Sequence, residues 1–298
     1  MKPLIVVDWG TSTLRGALFD GSGKLLEQVS APDGILRVPA GGFGAVFERH
    51  FGRWCKATGA LSLVAGMAGS RQGWQEAPYC PCPAGLAAIA AQLLWIEPGR
   101  IALVPGLSCE EGGMPDVLRG EETQVLGALE LLGLSDATLV LPGTHSKWVT
   151  VRDRQAESFR TFMTGEVYEL LRRHSILART LPDADGELDP AAFRLGLDHA
   201  WASASLLHAA FSVRTLALFE RMPAAGMPSY LSGLVIGEEL RAQQLQSGAA
   251  PVVVVGSAAL VARYHLALRA LGVDCLTLGD QATWAGLRAI ARQLEDTA

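Results

Sequence analysis

Asp8-Trp9-Gly10-Thr11-Ser12-Thr13 joins two short β-like runs, Leu4 to Asp8 and Leu14 to Phe19. Pro142-Gly143-Thr144-His145-Ser146-Lys147 joins two more, Thr138 to Leu141 and Lys147 to Val151. Glycine lets a backbone approach an anion closely, and successive turn amides with Thr and Ser hydroxyls donate to phosphate oxygens. A single Gly/Ser/Thr turn joins strands in any fold. Two of them at equivalent places in two halves of one chain read as a pair that would grip a polyphosphate. Asp8, at the end of the first strand, is placed to hold Mg²⁺ directly or through water, because a hard cation prefers carboxylate oxygen.

Working outward from the first turn, a third β-like run at Leu25 to Val29 precedes an amphipathic helix at Phe43 to Thr58. An apolar run at Leu61 to Ala65, an Ala/Leu-rich helix at Pro83 to Trp95, a run at Ile101 to Val104 and a helix from about Arg119 to Leu132 follow. The second half repeats the order. Three runs end at Ser158 to Phe162, a helix spans about Gly165 to His174 with Thr164 as its expected cap, and a helical insertion covers about 180–227. Helix Leu231 to Gln244, strand Val252 to Val255, helix Ala258 to Leu271, strand Cys275 to Leu278 and helix Ala282 to Glu295 complete it. Each half is βββαβαβα, without a residue-level repeat. The expected division is 1–134 and 135–298.

The 298 residues agree with two domains of ordinary size. With 49% hydrophobic and 18% charged residues the chain is too apolar for intrinsic disorder. Its longest uncharged apolar runs, Leu86 to Ile96 and Val252 to Ala262, are too short to span a bilayer. A net charge of -5 argues against a nucleic-acid partner, so an anionic small molecule needs local donors. Five cysteines, with Cys80 and Cys82 the one close pair, form no zinc pattern and suit reduced thiols in a cytoplasm. Asp8 follows only four apolar residues, which leaves no signal-peptide core.

DWGTSTLRGALFD (Asp8 to Asp20), GMAGSRQGWQEAPY (Gly66 to Tyr79), RGEETQVLGAL (Arg119 to Leu129), LPGTHSKWV (Leu141 to Val149) and FRTFMTGEVYELL (Phe159 to Leu171) together resemble the 2-dehydro-3-deoxygalactonokinase family of the actin-like ATPase and sugar kinase superfamily. The resemblance implies two actin-like, ribonuclease H-like domains with an interdomain nucleotide cleft. It also implies ATP- and Mg²⁺-dependent phosphorylation of the 6-hydroxyl of 2-dehydro-3-deoxy-D-galactonate in D-galactonate breakdown. Position by position, Gly10, Thr11 and Ser12 match the first phosphate loop and Gly143, Thr144 and His145 the second. Gly256 and Ser257 match the nucleoside-binding turn. The expected partners are a sugar acid and ATP, without nucleic acid or membrane, and a homodimer is compatible with the sequence.

A kinase acting on an alcohol needs a base for the hydroxyl proton. In this superfamily it sits near the start of the helix closing the first domain, which here holds Glu121 and Glu122. Asp116 is a third candidate. Adjacent helical residues point about 100° apart, so one glutamate faces substrate, and the sequence does not say which. For the substrate carboxylate, Arg71 in Ser70-Arg71-Gln72-Gly73-Trp74 offers a guanidinium fork, Arg15 a second, and Trp74 an apolar wall. His145 reads as a hydrogen-bonding loop residue without a second histidine near it. A kinase for another 2-keto-3-deoxy acid, an exopolyphosphatase-like phosphohydrolase and a non-catalytic actin-like nucleotide switch are the alternative functions.

Overall fold

The structure is a computed structural model that describes residues 2–245 and 250–296. In chain order the strands and helices of the first half are β1 (Leu4–Trp9), β2 (Leu14–Phe19), β3 (Leu25–Ala31), α1 (Phe43–Thr58), β4 (Leu61–Ala65), β5 (Tyr79–Pro81), α2 (Leu86–Ala91), β6 (Leu94–Glu97), β7 (Ile101–Leu103), β8 (Gly106–Glu111), β9 (Met114–Leu118) and α3 (Glu121–Leu132). The chain continues with β10 (Ala137–Leu141), β11 (Ser146–Arg152), β12 (Gln155–Phe162), α4 (Thr164–His174), α5 (Pro190–Ala202), α6 (Leu206–Ala209), α7 (Ser212–Leu218), α8 (Met227–Gln243), β13 (Val252–Val255), α9 (Ala258–Ala270), β14 (Cys275–Leu278) and α10 (Gln281–Asp296).

The duplication expected from the sequence is present in the sheets. One has the order β3-β2-β1-β4-β7-β6 and the other β12-β11-β10-β13-β14, so each opens with three consecutive strands and continues from the first of them. β1 is antiparallel to β2 and parallel to β4, and β10 is parallel to β13. β1 is apolar at Leu4, Ile5, Val6 and Val7, all buried, as a central strand covered on both faces must be. Helix α1 turns Phe43, Val46, Phe47, Phe51 and Trp54 onto this sheet and ends at Gly59, whose left-handed φ of 60° lets its N–H reach Cys55 O. Each large side chain fully buried there contributes roughly 1.5–3 kcal/mol.

Two elements depart from the sequence reading. The Ala/Leu-rich stretch gives only the six-residue α2, after which Leu94-Trp95-Ile96-Glu97 becomes an edge strand antiparallel to β7. The aromatic and β-branched residues there suit a pleated edge better than a further helical turn. A small third sheet, β5-β8-β9, also lies between β7 and α3 in chain position except for β5, and its hairpin turns at Gly112-Gly113.

The chain forms two compact units. Residues 1–137, 149–160 and 278–298 make the first, and residues 138–148 and 161–277 the second. The closing helix α10 therefore belongs with the first unit, where it packs on α3. A side chain at Gly127 would reach 1.7 Å from Ala282 O, and one at Gly286 1.9 Å from Thr123 O. The two backbones touch through glycine, which no larger residue allows. In the second unit, the insertion packs Phe193 and Leu197 of α5 against α8, whose residues are buried over nearly its whole length.

Candidate functional site

In the first unit, the β1–β2 turn is held open by the segment behind it. Gly10 N donates to Thr13 O (2.9 Å), while Gly34, Ile35 and Leu36 amides donate to the carbonyls of Ser12, Gly10 and Thr11. Trp9 Nε1 donates to Asp33 O (2.8 Å). The turn carbonyls are thus occupied from one side, and among the described residues the Thr11 and Ser12 amides donate to no protein acceptor. That is the polarity an anion site needs.

Asp8, Gly66 and Gly120 converge. A side chain at Gly66 would come within 3.3 Å of Asp8 Oδ1, and one at Gly120 within 3.2 Å of Gly66 Cα. Both glycines have positive φ, +88° and +103°. The start of α3 is thereby brought beside the end of β1. Asp8 Oδ2 accepts from Arg15 Nη2 at 2.6 Å, and Arg15 Nη1 lies 2.6 Å from Asp280 Oδ2. Arg15 is committed to two carboxylates, so it is a brace for Asp8 rather than an open fork. Asp8 Oδ1 makes no hydrogen bond among the described residues. One carboxylate oxygen left open suits Mg²⁺, which keeps several waters and takes further oxygens from substrate phosphates.

The two glutamates of α3 separate. Glu122 is fully buried, its Oε2 accepts from Gly120 N at 2.6 Å, and its Oε1 has no partner among the described residues. Burial first, and the neighbouring Glu121 carboxylate second, push its carboxyl up to about 8. Glu121 is partly exposed and its Oε2 accepts from Arg119 N at 3.0 Å. At neutral pH Glu122 is mostly a neutral acid, whereas Glu121 is partly open to solvent. Asp116 lies on β9, where its Oδ1 accepts from Val117 N at 2.7 Å.

Raising an acid's folded pKa from about 4.5 to about 8 makes the native state bind more protons than the unfolded state between those values. Stability from this group therefore falls as pH rises across that window. Glu122→Gln copies the neutral form. We expect wild type to lose a few kcal/mol relative to Glu122→Gln between pH 5 and pH 9, read by urea denaturation at both pH values. Parallel pH profiles would contradict it.

The Ser70 to Trp74 stretch is a tight loop in which Trp74 N donates to Ala68 O (2.7 Å) and Gly73 N to Ser70 O (2.9 Å). Ser70 Oγ is buried without a partner among the described residues. Gln72 is exposed, and the Arg71 side chain is 86% exposed and leans loosely on Glu76 at 3.3 Å. Trp74 is half-buried against Trp9 and Phe47, with ring centroids 6.1 and 5.5 Å away. Sequence reasoning missed Arg119. Its guanidinium is buried, donates to Ala77 O at 2.8 Å and stacks 4.3 Å from the Tyr79 ring centroid, tying the end of this loop to the start of α3.

In the second unit, Thr144 O accepts from Glu166 N (2.9 Å), and His145 Nε2 lies 2.5 Å from Glu166 Oε2, so the β10–β11 turn is stapled to the first turn of α4. His145 is the hydrogen-bonding loop residue expected. Gly256 ends β13 opposite Pro142, and Ser257 O accepts from Val261 N as α9 begins. An open cavity of about 270 Å³ lies here, with Gly143, Gly165, Tyr168, Val235, Leu260 and Arg263 in its lining.

Thr164 does not cap α4. It is the first helical residue, and its hydroxyl instead donates to Glu239, a buried carboxylate of α8. Trp148 Nε1 (2.6 Å) and Tyr264 OH (2.7 Å) also donate to Glu239, and Ser146 Oγ lies 2.9 Å from Tyr264 OH. Burial raises the Glu239 carboxyl above its ordinary range against these donors. The network fixes β11, α4, α8 and α9 around the cavity. Its sequence signal was a glutamate within the apolar run Leu234-Val235-Ile236-Gly237-Glu238-Glu239-Leu240.

The chain matches the family model described as 2-keto-3-deoxy-galactonokinase over residues 8–290. It belongs to that family. The 2-dehydro-3-deoxygalactonokinase of Escherichia coli (strain K12) is 35% identical over 289 residues, covering 96% of this chain and 97% of the other. The crystal structure of a protein from Sinorhizobium meliloti, assigned as a 2-dehydro-3-deoxygalactonokinase, superposes with a TM-score of 0.90 at 36% identity, covering 98% of this chain and 99% of that one. The activator of 2-hydroxyisocaproyl-CoA dehydratase from Clostridium difficile, solved with ADPNP, shares the fold at 13% identity and a TM-score of 0.51, over 99% and 97% of the two chains. The galactonokinase family chain thus has the same α/β fold as that activator. All five motifs that carry the resemblance lie within residues 8–290. No helix among the described residues is long and apolar enough to cross a membrane.

Proposed function

We infer that this kinase transfers the γ-phosphoryl of ATP to the 6-hydroxyl of 2-dehydro-3-deoxy-D-galactonate. The products are 2-dehydro-3-deoxy-6-phospho-D-galactonate and ADP, and the reaction serves D-galactonate breakdown in a cytoplasm. The observation that carries this reading is the family match along residues 8–290. It is supported by the convergence of Asp8, Gly66 and the start of α3 in the first unit.

In this account the first unit binds the sugar acid and the second the nucleotide. Glu121 takes the proton of the 6-hydroxyl as that oxygen bonds to the γ-phosphorus and the bond to the ADP oxygen breaks. Glu122, buried and pushed up to about 8, is mostly protonated at pH 7 and so is not available to take that proton. Gly143, Thr144 and His145 hold phosphate oxygens of ATP, with Gly256 and Ser257 at the nucleoside. Thr11 and Ser12 donate to the transferring group. Asp8, braced by Arg15, would hold Mg²⁺, which when bound offsets charge on the phosphoryl oxygens.

Arg71, with Ser70 and Gln72 beside it and Trp74 as the apolar wall, is assigned to the substrate carboxylate. Its exposure and loose pairing leave the guanidinium available to a bidentate partner. Arg71→Lys is expected to raise KM for the sugar acid about tenfold, with KM for ATP unchanged within twofold. A rise confined to ATP would move Arg71 to the nucleotide. For the reaction itself, ADP release in a coupled assay must depend on the sugar acid. Equal phosphate release without it would establish a phosphohydrolase instead.

A further inference from the structure

We propose that Asp185 is the acceptor for a ribose hydroxyl of the nucleotide, which makes the insertion after α4 the element that selects ribonucleotides. The inference rests on the nucleotide reading of the second unit and specifies it.

Asp185 lines the cavity that begins at Gly143. Its Oδ1 receives Arg172 Nε and, at 3.1 Å, Tyr168 OH. Arg172 is itself buried, and its Nη2 donates to Pro182 O (3.0 Å) and Asp183 O (3.2 Å), so the loop leading to Asp185 is folded around one guanidinium. Burial, and next the Asp185 charge, raise the Tyr168 phenol, which keeps it a donor. Oδ2 makes no hydrogen bond among the described residues. One carboxylate oxygen is thus fixed by two donors, and the other is unpaired among the described residues on a side chain that lines the cavity.

The charge of that oxygen limits what it can meet. The nucleotide reading puts the phosphates at the Gly143 to His145 turn, and polyphosphate repels a carboxylate, so Asp185 meets another part of the nucleotide. Val235, Ile236 and Leu260 supply apolar surface for a base and offer no charged partner to it. Between phosphate and base a nucleotide carries the ribose 2′- and 3′-hydroxyls, donors of the kind a fixed carboxylate oxygen accepts. A hydrogen bond to a charged acceptor is worth about ten- to a hundredfold in affinity.

The test compares full-length wild type, Asp185→Asn and Asp185→Ala with ATP, 2′-deoxyATP, 3′-deoxyATP and inosine triphosphate, at saturating sugar acid. Wild type is expected to lose at least tenfold in kcat/KM with one of the deoxynucleotides. In both variants that discrimination falls below about threefold, while KM for the sugar acid stays within twofold. Asp185→Asn retains an oxygen for Arg172, so it separates ribose recognition from loop folding. If the variants weaken ATP and the deoxynucleotides equally, or if the lost discrimination is against inosine triphosphate, the proposal is overturned while ATP use stands. Wild type that uses both deoxynucleotides as well as ATP overturns it too. Absence of ATP-dependent turnover would remove the nucleotide reading and this proposal together.

Discussion

Glu121→Gln lowers kcat by about three orders of magnitude and leaves ATP affinity, read by calorimetry, within twofold of wild type. Gln keeps the length of the side chain and an oxygen for Arg119 N, which Glu121 Oε2 accepts at 3.0 Å, but it cannot take a proton. The loss should therefore fall on turnover rather than on binding or folding. Glu122→Gln is the contrast. Its carboxyl is buried and pushed up to about 8, so it is already mostly neutral at pH 7, and its amide variant should retain turnover within about tenfold. A large loss in Glu122→Gln with near-normal turnover in Glu121→Gln would reverse the two assignments.

Gly127→Ala should destabilise the first unit by about 3 kcal/mol or more, beyond the usual cost of an added methyl, because the obstacle is a backbone carbonyl rather than a side chain that can turn away. The new Cβ would lie 1.7 Å from Ala282 O, so α3 and α10 must separate. Helix α3 carries Glu121 at its start, and its separation from α10 would move this proposed base relative to Asp8. Urea denaturation and turnover should fall together. Unchanged stability within 0.5 kcal/mol would mean that the helices are not in backbone contact.

Those two helices show where a single chain is hard to read. Gly127 and Gly286 are small residues in ordinary helical patterns, and nothing local says that one touches the other's helix 160 residues later. The two glycine turns, by contrast, are local. Gly10-Thr11-Ser12 and Gly143-Thr144-His145 announce themselves because each lies between two short apolar strands, and the structure keeps both as turns. The hairpin β8–β9 was legible but went unread. Gly112-Gly113, at φ of 60° and 80°, is the two-glycine link that hairpins favour, and the polar residues on either side disguised its strands.

The site was legible in its residue types and less so in their engagement. Arg15 carries the same charge as Arg71, yet only three-dimensional contact reveals that Asp8 and Asp280 occupy it while Arg71 is 86% exposed. Glu121 and Glu122 are equivalent in sequence, and burial separates them. Arg119, Glu239 and Asp185 could be recognised only from what they touch, because each acts through a hydrogen-bond network assembled from distant segments.

The most direct test of the central claim is ADP release by purified protein with ATP and Mg²⁺ across a panel of 2-keto-3-deoxy sugar acids. 2-Dehydro-3-deoxy-D-galactonate should give the highest kcat/KM, at least tenfold above its C4 epimer derived from gluconate, with product phosphorylated at the 6-hydroxyl. ADP release indifferent to every acid in the panel would contradict the account.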